Sequence, residues 1–161
     1  MTVTIDHLTP VEKTLLITLT GRALDARTKR RRCSGIAWLL RRLTASVPVP
    51  IVKLPDSNRL ALAVRRKMLN RLVAGFIAAH PNAVVVELGC GLETRMHRIA
   101  PPASVDWYDI DLDNVIALRG QLVPELDRTH LVAASLTNQA GWTAFRGIVR
   151  RSSSPTACSA F

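Results

Sequence analysis

The chain has 161 residues and a net charge of +10, and it is 48% hydrophobic but only 4% aromatic. These values fit one domain with an aliphatic core. No apolar run reaches the roughly 18 residues that a membrane helix needs, and the first residues lack the basic and apolar regions of a signal peptide. We therefore expect a cytoplasmic protein without a membrane partner. Three widely spaced cysteines, at positions 33, 90 and 158, argue against a disulfide framework and a zinc site.

The positive charge is concentrated in one part of the chain. Residues 22–71 carry fourteen basic and two acidic residues, whereas residues 72–145 carry four basic and eight acidic ones. A nucleic-acid-binding protein can show such a basic stretch. A solvated basic segment is the simpler interpretation, so nucleic acid is the less favoured partner and a small molecule the favoured one.

The first third of the chain predicts helices interrupted by an irregular segment. Residues 8–26 mix apolar residues with threonine, which favours a mostly helical segment. Residues 28–53 begin with a run of basic residues and end in Val47-Pro48-Val49-Pro50, where the alternating prolines exclude a helix.

A long helix is predicted after this segment. Pro55-Asp56-Ser57 is a typical helix start, and apolar residues then recur every four positions from Leu60 to Phe76. The helix must end before Pro81, because a residue that precedes proline avoids the helical conformation.

Strands and helices alternate in the rest of the chain. The run at 83–88 is apolar and rich in valine, as in a strand that is buried on both faces. Further strands are predicted at 105–110 and 131–134, with helices at 93–99 and 113–122. The alternation predicts an α/β fold with a parallel, Rossmann-like sheet of about three strands, preceded by N-terminal helices.

The first strand ends in a glycine motif that favours a nucleoside ligand. Gly89 and Gly91 allow the backbone to turn sharply off the strand, and Asp111 follows 22 residues after Gly89 at the end of the next strand, where an acid can bind ribose hydroxyls. A dinucleotide site prefers a third glycine, but position 94 is Thr94. Glu93 at the helix start would repel a phosphate but not a sulfonium or an amino group, which favours S-adenosylmethionine. The alternative is that both glycines only terminate a strand.

Three stretches resemble one known family. Glu87 to Arg95, Asp106 to Leu112 and Pro55 to Arg59 are similar to the leucine carboxyl methyltransferase family, and more closely to its bacterial polyketide-synthesis O-methyltransferase branch. The resemblance covers about residues 3–27 and 54–145. It implies a class I methyltransferase that uses S-adenosylmethionine to methylate a carboxylate or hydroxyl oxygen of a small molecule. It leaves the catalytic residues and the oligomeric state unassigned, and the cysteine and histidine spacing predicts no metal site.

The resemblance also implies roles for individual residues. Gly89 and Gly91 would line the methionine part of the cofactor, Glu87 would belong to the same site, and Asp111 would bind the ribose.

Other implied contacts lie further along the chain. Arg65 on the long helix would pair with the cofactor carboxylate, although a solvated base beside its basic neighbours is an equal alternative. Ser135 and Leu136, which follow the third strand, match the positions where the family contacts adenine.

Several other residues are given a structural interpretation. We interpret Cys90 as a small buried residue rather than a nucleophile, Asp109 as a strand-end turn residue, and Trp107 and Trp142 as core residues.

Two segments, 28–53 and 146–161, do not resemble the family. Codons for Val-Val-Val-Ala-Asp-Gly-Leu, read one base on, encode Ser-Ser-Ser-Pro-Thr-Ala and begin a cysteine codon, which corresponds to Ser152 to Cys158. We therefore hypothesise that both segments are out-of-frame readings. The expected organisation is an N-terminal helical segment (1–54), a cofactor-binding core (55–145) and a basic tail (146–161). We expect a truncated copy with impaired activity or, alternatively, a non-catalytic cofactor-binding remnant.

Overall fold

The structure is a computed structural model that describes residues 5–19, 55–151 and 157–160. The predictions for the basic segment 28–53 therefore lie outside the described residues. The described helices are α1 (Asp56–Ala79), α2 (Arg95–Ile99), α3 (Asp113–Leu122) and α4 (Gln139–Arg151). The described strands are β1 (Val84–Leu88), β2 (Asp106–Asp111), β3 (Thr129–Ala133) and β4 (Ala157–Ala160).

The described strands form one parallel sheet in the order β3-β2-β1-β4. Val86 of β1 lies opposite Tyr108 of β2, and Glu87 lies opposite Asp109. The predicted α/β class with a parallel sheet is confirmed, and strands β1 to β3 lie within two residues of their predicted bounds. β4 is a further strand beside the three that were expected, and its residues belong to the tail that the sequence had set apart.

Helices cover both faces of the sheet, because successive side chains of a strand point to opposite sides. Val85 and Trp107 pack against α1 and α2 through a cluster that includes Val73 and Met96. On the other face, Val84, Val86 and Ile110 pack against Phe145 and Ile148 of α4. α4 therefore lies on the opposite face of the sheet from the helices that follow β1 and β2.

Helix α1 has the predicted ends, and it buries only part of its apolar pattern. It begins after Pro55 and ends before His80. The inward side chains are Val73 and Ile77. The four-residue series that predicted the helix is mostly exposed. Phe76 is half-buried, and the other four members, Leu60, Val64, Met68 and Leu72, are exposed at 66%, 48%, 59% and 65%. None of the described helices is both long enough and apolar enough to cross a membrane.

The N-terminal segment packs beside α3. Residues 12–14 form a 3-10 turn and residues 15–19 are helical, in agreement with the predicted helix over that part of 8–26. The turn begins with a capping box, in which the Thr9 amide donates to Glu12 Oε2 at 2.7 Å and the Glu12 amide donates to Thr9 Oγ1 at 3.3 Å. Leu15, Leu16 and Leu19 then join the buried cluster of α3.

The two tryptophans have different environments. Trp107 is fully buried, as predicted. The core prediction for Trp142 is wrong, because its side chain is 45% exposed and its ring contacts Phe145 edge to face. Cys90 is buried, as interpreted, and burial raises the pKa of its thiol, so the thiolate that a nucleophile requires is disfavoured.

Candidate functional site

The turn after β1 has the backbone geometry that its glycines predicted. Gly89 and Gly91 have φ values of +63° and +49°, a region that residues with a side chain rarely adopt. The amide of Gly91 donates to Asp111 Oδ2 at 2.7 Å. The glycine loop, which we define as residues 89–94, is therefore tied directly to the end of β2.

A cavity of about 350 Å³ lies at this edge of the sheet. It is lined by the glycine loop, the ends of β1 and β2, α1 and the N-terminal segment. Five residues that the sequence assigned to a cofactor line this cavity together, and they are Arg65, Glu87, Gly89, Gly91 and Asp111. The structure therefore places these five residues around one cavity.

The two predicted adenine contacts are separate from this group. Ser135 lines a second cavity of about 430 Å³ between β3, α3 and α4, and Leu136 lines neither of these two cavities. Both cavities share Glu12 and Leu112 as wall residues. The second cavity therefore adjoins the first, and an elongated ligand can extend from the glycine loop towards Ser135.

Gly141 allows two segments that line the second cavity to pack closely on each other. A Cβ added at Gly141 would lie 1.9 Å from the carbonyl oxygen of Ser135, which is far inside van der Waals contact. The Gly141 amide also donates to Asn138 Oδ1 at 2.9 Å. The start of α4 can therefore pack on the turn after β3 only because position 141 has no side chain.

Asp111 has its carboxylate held in place while acceptor capacity remains. Oδ2 accepts from Gly91, and Oδ1 accepts from the Leu112 amide at 2.8 Å. A carboxylate has about four lone-pair sites. Two of them remain for hydroxyl donors of a ligand, as the predicted ribose contact requires.

Glu87 is a buried carboxylate with one oxygen that has no partner among the described residues. Its Oε1 pairs with Arg95 at 2.5 Å, whereas Oε2 is inaccessible to solvent and accepts no hydrogen bond. Burial raises the pKa of Glu87 to about 8, and this effect outweighs the opposing attraction of Arg95. An unsatisfied buried acceptor is unusual, and in a cavity wall it favours a ligand that donates a hydrogen bond.

Asp109 is not the turn residue that the sequence indicated. It lies inside β2, is fully buried, and accepts from Trp107 Nε1 at 3.1 Å and from Arg119 at 2.5 Å. Arg119 also donates to the carbonyl oxygens of Gly91 and Glu93, at 3.1 and 2.6 Å. Sequence reasoning missed Arg119. The available signal was a lone arginine on the apolar face of α3.

Acidic side chains complete the wall of the first cavity. Glu93, whose position argued against a phosphate ligand, lines the cavity and pairs with Arg98 at 2.7 Å. Glu12 was also missed, although Thr9 and Glu12 have the spacing of a capping box. Hydrogen bonds from the Thr9 backbone and side chain lower the pKa of Glu12. Its carboxylate is therefore ionised at neutral pH, between the two cavities.

Arg65 lies at the rim of the first cavity. It is exposed on α1, and the half-buried Arg66 next to it lines the same cavity. The position is compatible with the predicted pairing to a cofactor carboxylate, and it is also where a solvated base would lie. The role of Arg65 therefore stays a prediction.

Comparison with known proteins identifies the family. The family model of Leucine carboxyl methyltransferase matches residues 41–160. The chain belongs to the leucine carboxyl methyltransferase family. The resemblance based on the three motifs is confirmed. The matched range also includes residues 41–53 and 146–160, which belong to the two segments that had been set apart as unlike the family.

A curated relative supports the same assignment. The chain is 37% identical over 135 residues to the tetracenomycin polyketide synthesis O-methyltransferase TcmP of Streptomyces glaucescens. The alignment covers 83% of this chain and 49% of the relative. The chain therefore spans about half the length of the curated relative that it matches.

Proposed function

We propose that the chain binds S-adenosylmethionine in the cavity at the glycine loop and serves O-methyl transfer to a carboxylate or hydroxyl of a small molecule. The observation that carries the proposal is the shared cavity wall of Glu87, Gly89, Gly91 and Asp111. Membership of a methyltransferase family and similarity to a polyketide O-methyltransferase support the reaction type.

The residues present fit this cofactor. The unpartnered oxygen of Glu87 can accept from an ammonium group, and the remaining lone pairs of Asp111 can accept from ribose hydroxyls. Arg65 at the rim is placed to pair with a carboxylate. The carboxylates of Glu12 and Glu93 in the same wall favour a ligand with positive groups and disfavour a diphosphate.

The chemistry requires little from the protein beyond positioning. S-adenosylmethionine, when bound, supplies an electrophilic methyl group on a sulfonium. The glycine loop and the strand ends would fix the orientation of this group, and the surrounding wall would exclude water while an acceptor oxygen approaches in line. A carboxylate acceptor arrives already deprotonated, whereas a hydroxyl acceptor would need a base, which remains unassigned.

Calorimetric titration with S-adenosylmethionine, S-adenosylhomocysteine and NAD⁺ tests the proposal. We expect both sulfur compounds to bind and NAD⁺ to bind at least about tenfold more weakly, because its diphosphate would face Glu93 and Glu12. Equal or tighter binding of NAD⁺ would show that the ligand class is wrong.

The efficiency of the chain as a catalyst is a separate proposal. We propose weak turnover by this chain alone and a small-molecule methyl acceptor, as the sequence analysis predicted. Incubation with labelled S-adenosylmethionine and a panel of aromatic acids and phenols measures the rate. Rapid turnover by the purified chain would contradict the proposal of impaired activity. A cytoplasmic location likewise stays a prediction.

Nucleic-acid binding is the alternative from a different class. It depends on the basic run from Lys29 to Arg42, which lies outside the described residues. Binding driven by phosphates should weaken steeply as salt rises, whereas binding of a small cofactor that releases few counterions should change little. Titration of a short duplex and of S-adenosylmethionine at two salt concentrations separates the two functions.

A further inference from the structure

The glycine loop is held from two sides by charged side chains. On one side, the Gly91 amide donates to Asp111. On the other side, the Gly91 carbonyl accepts from Arg119 Nη1 at 3.1 Å, and the Glu93 carbonyl accepts from the same nitrogen at 2.6 Å. Both polar groups of Gly91 are therefore fixed, one by β2 and one by α3.

Arg119 is itself fixed by a buried carboxylate. Its Nε and Nη2 donate to Asp109 Oδ2 at 3.0 and 2.5 Å, and the other oxygen of Asp109 accepts from Trp107. Arg119 is 3% exposed and Asp109 is fully buried. Burial alone would lower the pKa of Arg119, but the adjacent Asp109 raises it, so the guanidinium remains charged.

A guanidinium suits this arrangement and an ammonium does not. Arginine presents several donors in a rigid planar fork, whereas lysine carries its three donors on a single nitrogen. One fork directs two nitrogens to Asp109 and the third to the loop carbonyls. A lysine that stayed paired with Asp109 could not also reach both carbonyls.

We infer that Arg119 is a positioning residue for cofactor binding. It holds the glycine loop in its binding conformation through two backbone carbonyl groups of the loop, and Asp109 in turn fixes Arg119. The inference rests on the proposed S-adenosylmethionine site. Neither Arg119 nor Asp109 lines the cavity proposed for the cofactor. They act through the carbonyl groups of Gly91 and Glu93.

The test compares Arg119→Lys with Arg128→Lys. Arg128 also pairs with an aspartate of β2, Asp106, but it is 45% exposed and distant from the loop, so it is the matched control. Two readouts are measured on the folded proteins. They are amide hydrogen exchange of the glycine loop without ligand and the dissociation constant for S-adenosylmethionine.

We expect Arg119→Lys to accelerate exchange of the Cys90, Gly91 and Glu93 amides by about tenfold and to weaken cofactor binding by a similar factor. Amides of α4, on the opposite face of the sheet, should exchange at unchanged rates. Arg128→Lys should change neither readout. A loop-specific effect distinguishes positioning from general destabilisation, which would accelerate exchange in both regions.

Unchanged loop exchange in folded Arg119→Lys would overturn the inference, and so would faster loop exchange with unchanged affinity. If Arg119→Lys does not fold, Asp109→Asn is the second variant. It loosens the anchor without a change of volume, and a fully protected loop in that variant would also overturn the inference. If the unsubstituted chain binds no S-adenosylmethionine but the loop still responds to Arg119→Lys, the proposed function fails while the loop-holding role of Arg119 is supported.

Discussion

Glu87 of β1 and Asp109 of β2 are neighbours in the sheet register, and each is a buried carboxylate paired with an arginine. They differ in their second oxygen. Asp109 uses it to accept from Trp107, whereas the second oxygen of Glu87 has no partner among the described residues. Asp109 therefore supports the loop from within the core, whereas Glu87 belongs to the cavity wall and keeps one buried oxygen without a partner among the described residues. Their hydrogen bonds thus distinguish a core residue, Asp109, from a residue of the cavity wall, Glu87.

The largest expected effect is on stability, and it concerns Asp109, whose two carboxylate oxygens both have partners. Asp109→Ala leaves the buried Arg119 without its charge partner, and we expect the free energy of unfolding to fall by about 3–5 kcal/mol. Denaturant unfolding measures the loss. Asp106→Ala is the control, because the partners of Asp106, Arg128 and His130, are 45% and 42% exposed. It should cost less than about 1 kcal/mol. Equal losses in the two variants would contradict the structural role of Asp109.

The next effect is on ligand binding, two residues further along β2. Asp111→Ala removes the acceptor for the Gly91 amide and the proposed ribose contacts. We expect affinity for S-adenosylmethionine to fall by about a hundredfold or beyond detection. Calorimetric titration measures this change, with the exposed Asp127→Ala as the control. Unchanged affinity in Asp111→Ala would mean that the site lies elsewhere.

The buried carboxyl group of Glu87 should make the free energy of unfolding depend on pH. The pKa of Glu87 is about 8 in the folded chain, whereas its ordinary value is 4.5. Between pH 4.5 and 8 the folded state therefore binds a proton at Glu87 that the unfolded state has lost. Stability from Glu87 is thus fully present below about 4.5 and is lost as pH rises through 8. Glu87→Gln should flatten the decline in unfolding free energy between pH 5 and 8, and the exposed Glu125→Gln should not. An unchanged slope in Glu87→Gln would place the titration on another group.

The smallest expected effect is a proton released on binding. Below pH 8 Glu87 is mostly protonated in the free protein, and an ammonium group at Oε2 would favour its ionised form. We expect release of about one proton for each bound S-adenosylmethionine at pH 7, with affinity rising towards pH 8. Calorimetry in buffers of different ionisation enthalpy measures the release, which Glu87→Gln should abolish. Buffer-independent heats for the unsubstituted chain would argue against contact between Glu87 and the amino group.

Local sequence patterns were enough to predict the backbone turn of the candidate site and the carboxylate that faces it. A valine-rich strand, two glycines and an acid at the end of the next strand define a backbone turn and its facing carboxylate. These features depend on residues close in the chain, and the structure places Gly89, Gly91 and Asp111 together as predicted. The bounds of α3 were also predicted, because Pro124, which follows the helix in the chain, is a local signal that ends it.

Packing between distant segments decided the rest. The sequence could not tell that Glu87 and Asp109 each pair with an arginine in the core. Their partners, Arg95 of α2 and Arg119 of α3, come from other elements. It could not orient α1, whose regular apolar series is exposed while Val73 and Ile77 are buried. The burial of a side chain and the partner of a buried charge are set by how elements pack, and a one-dimensional pattern offers several faces and partners among which only the tertiary structure chooses.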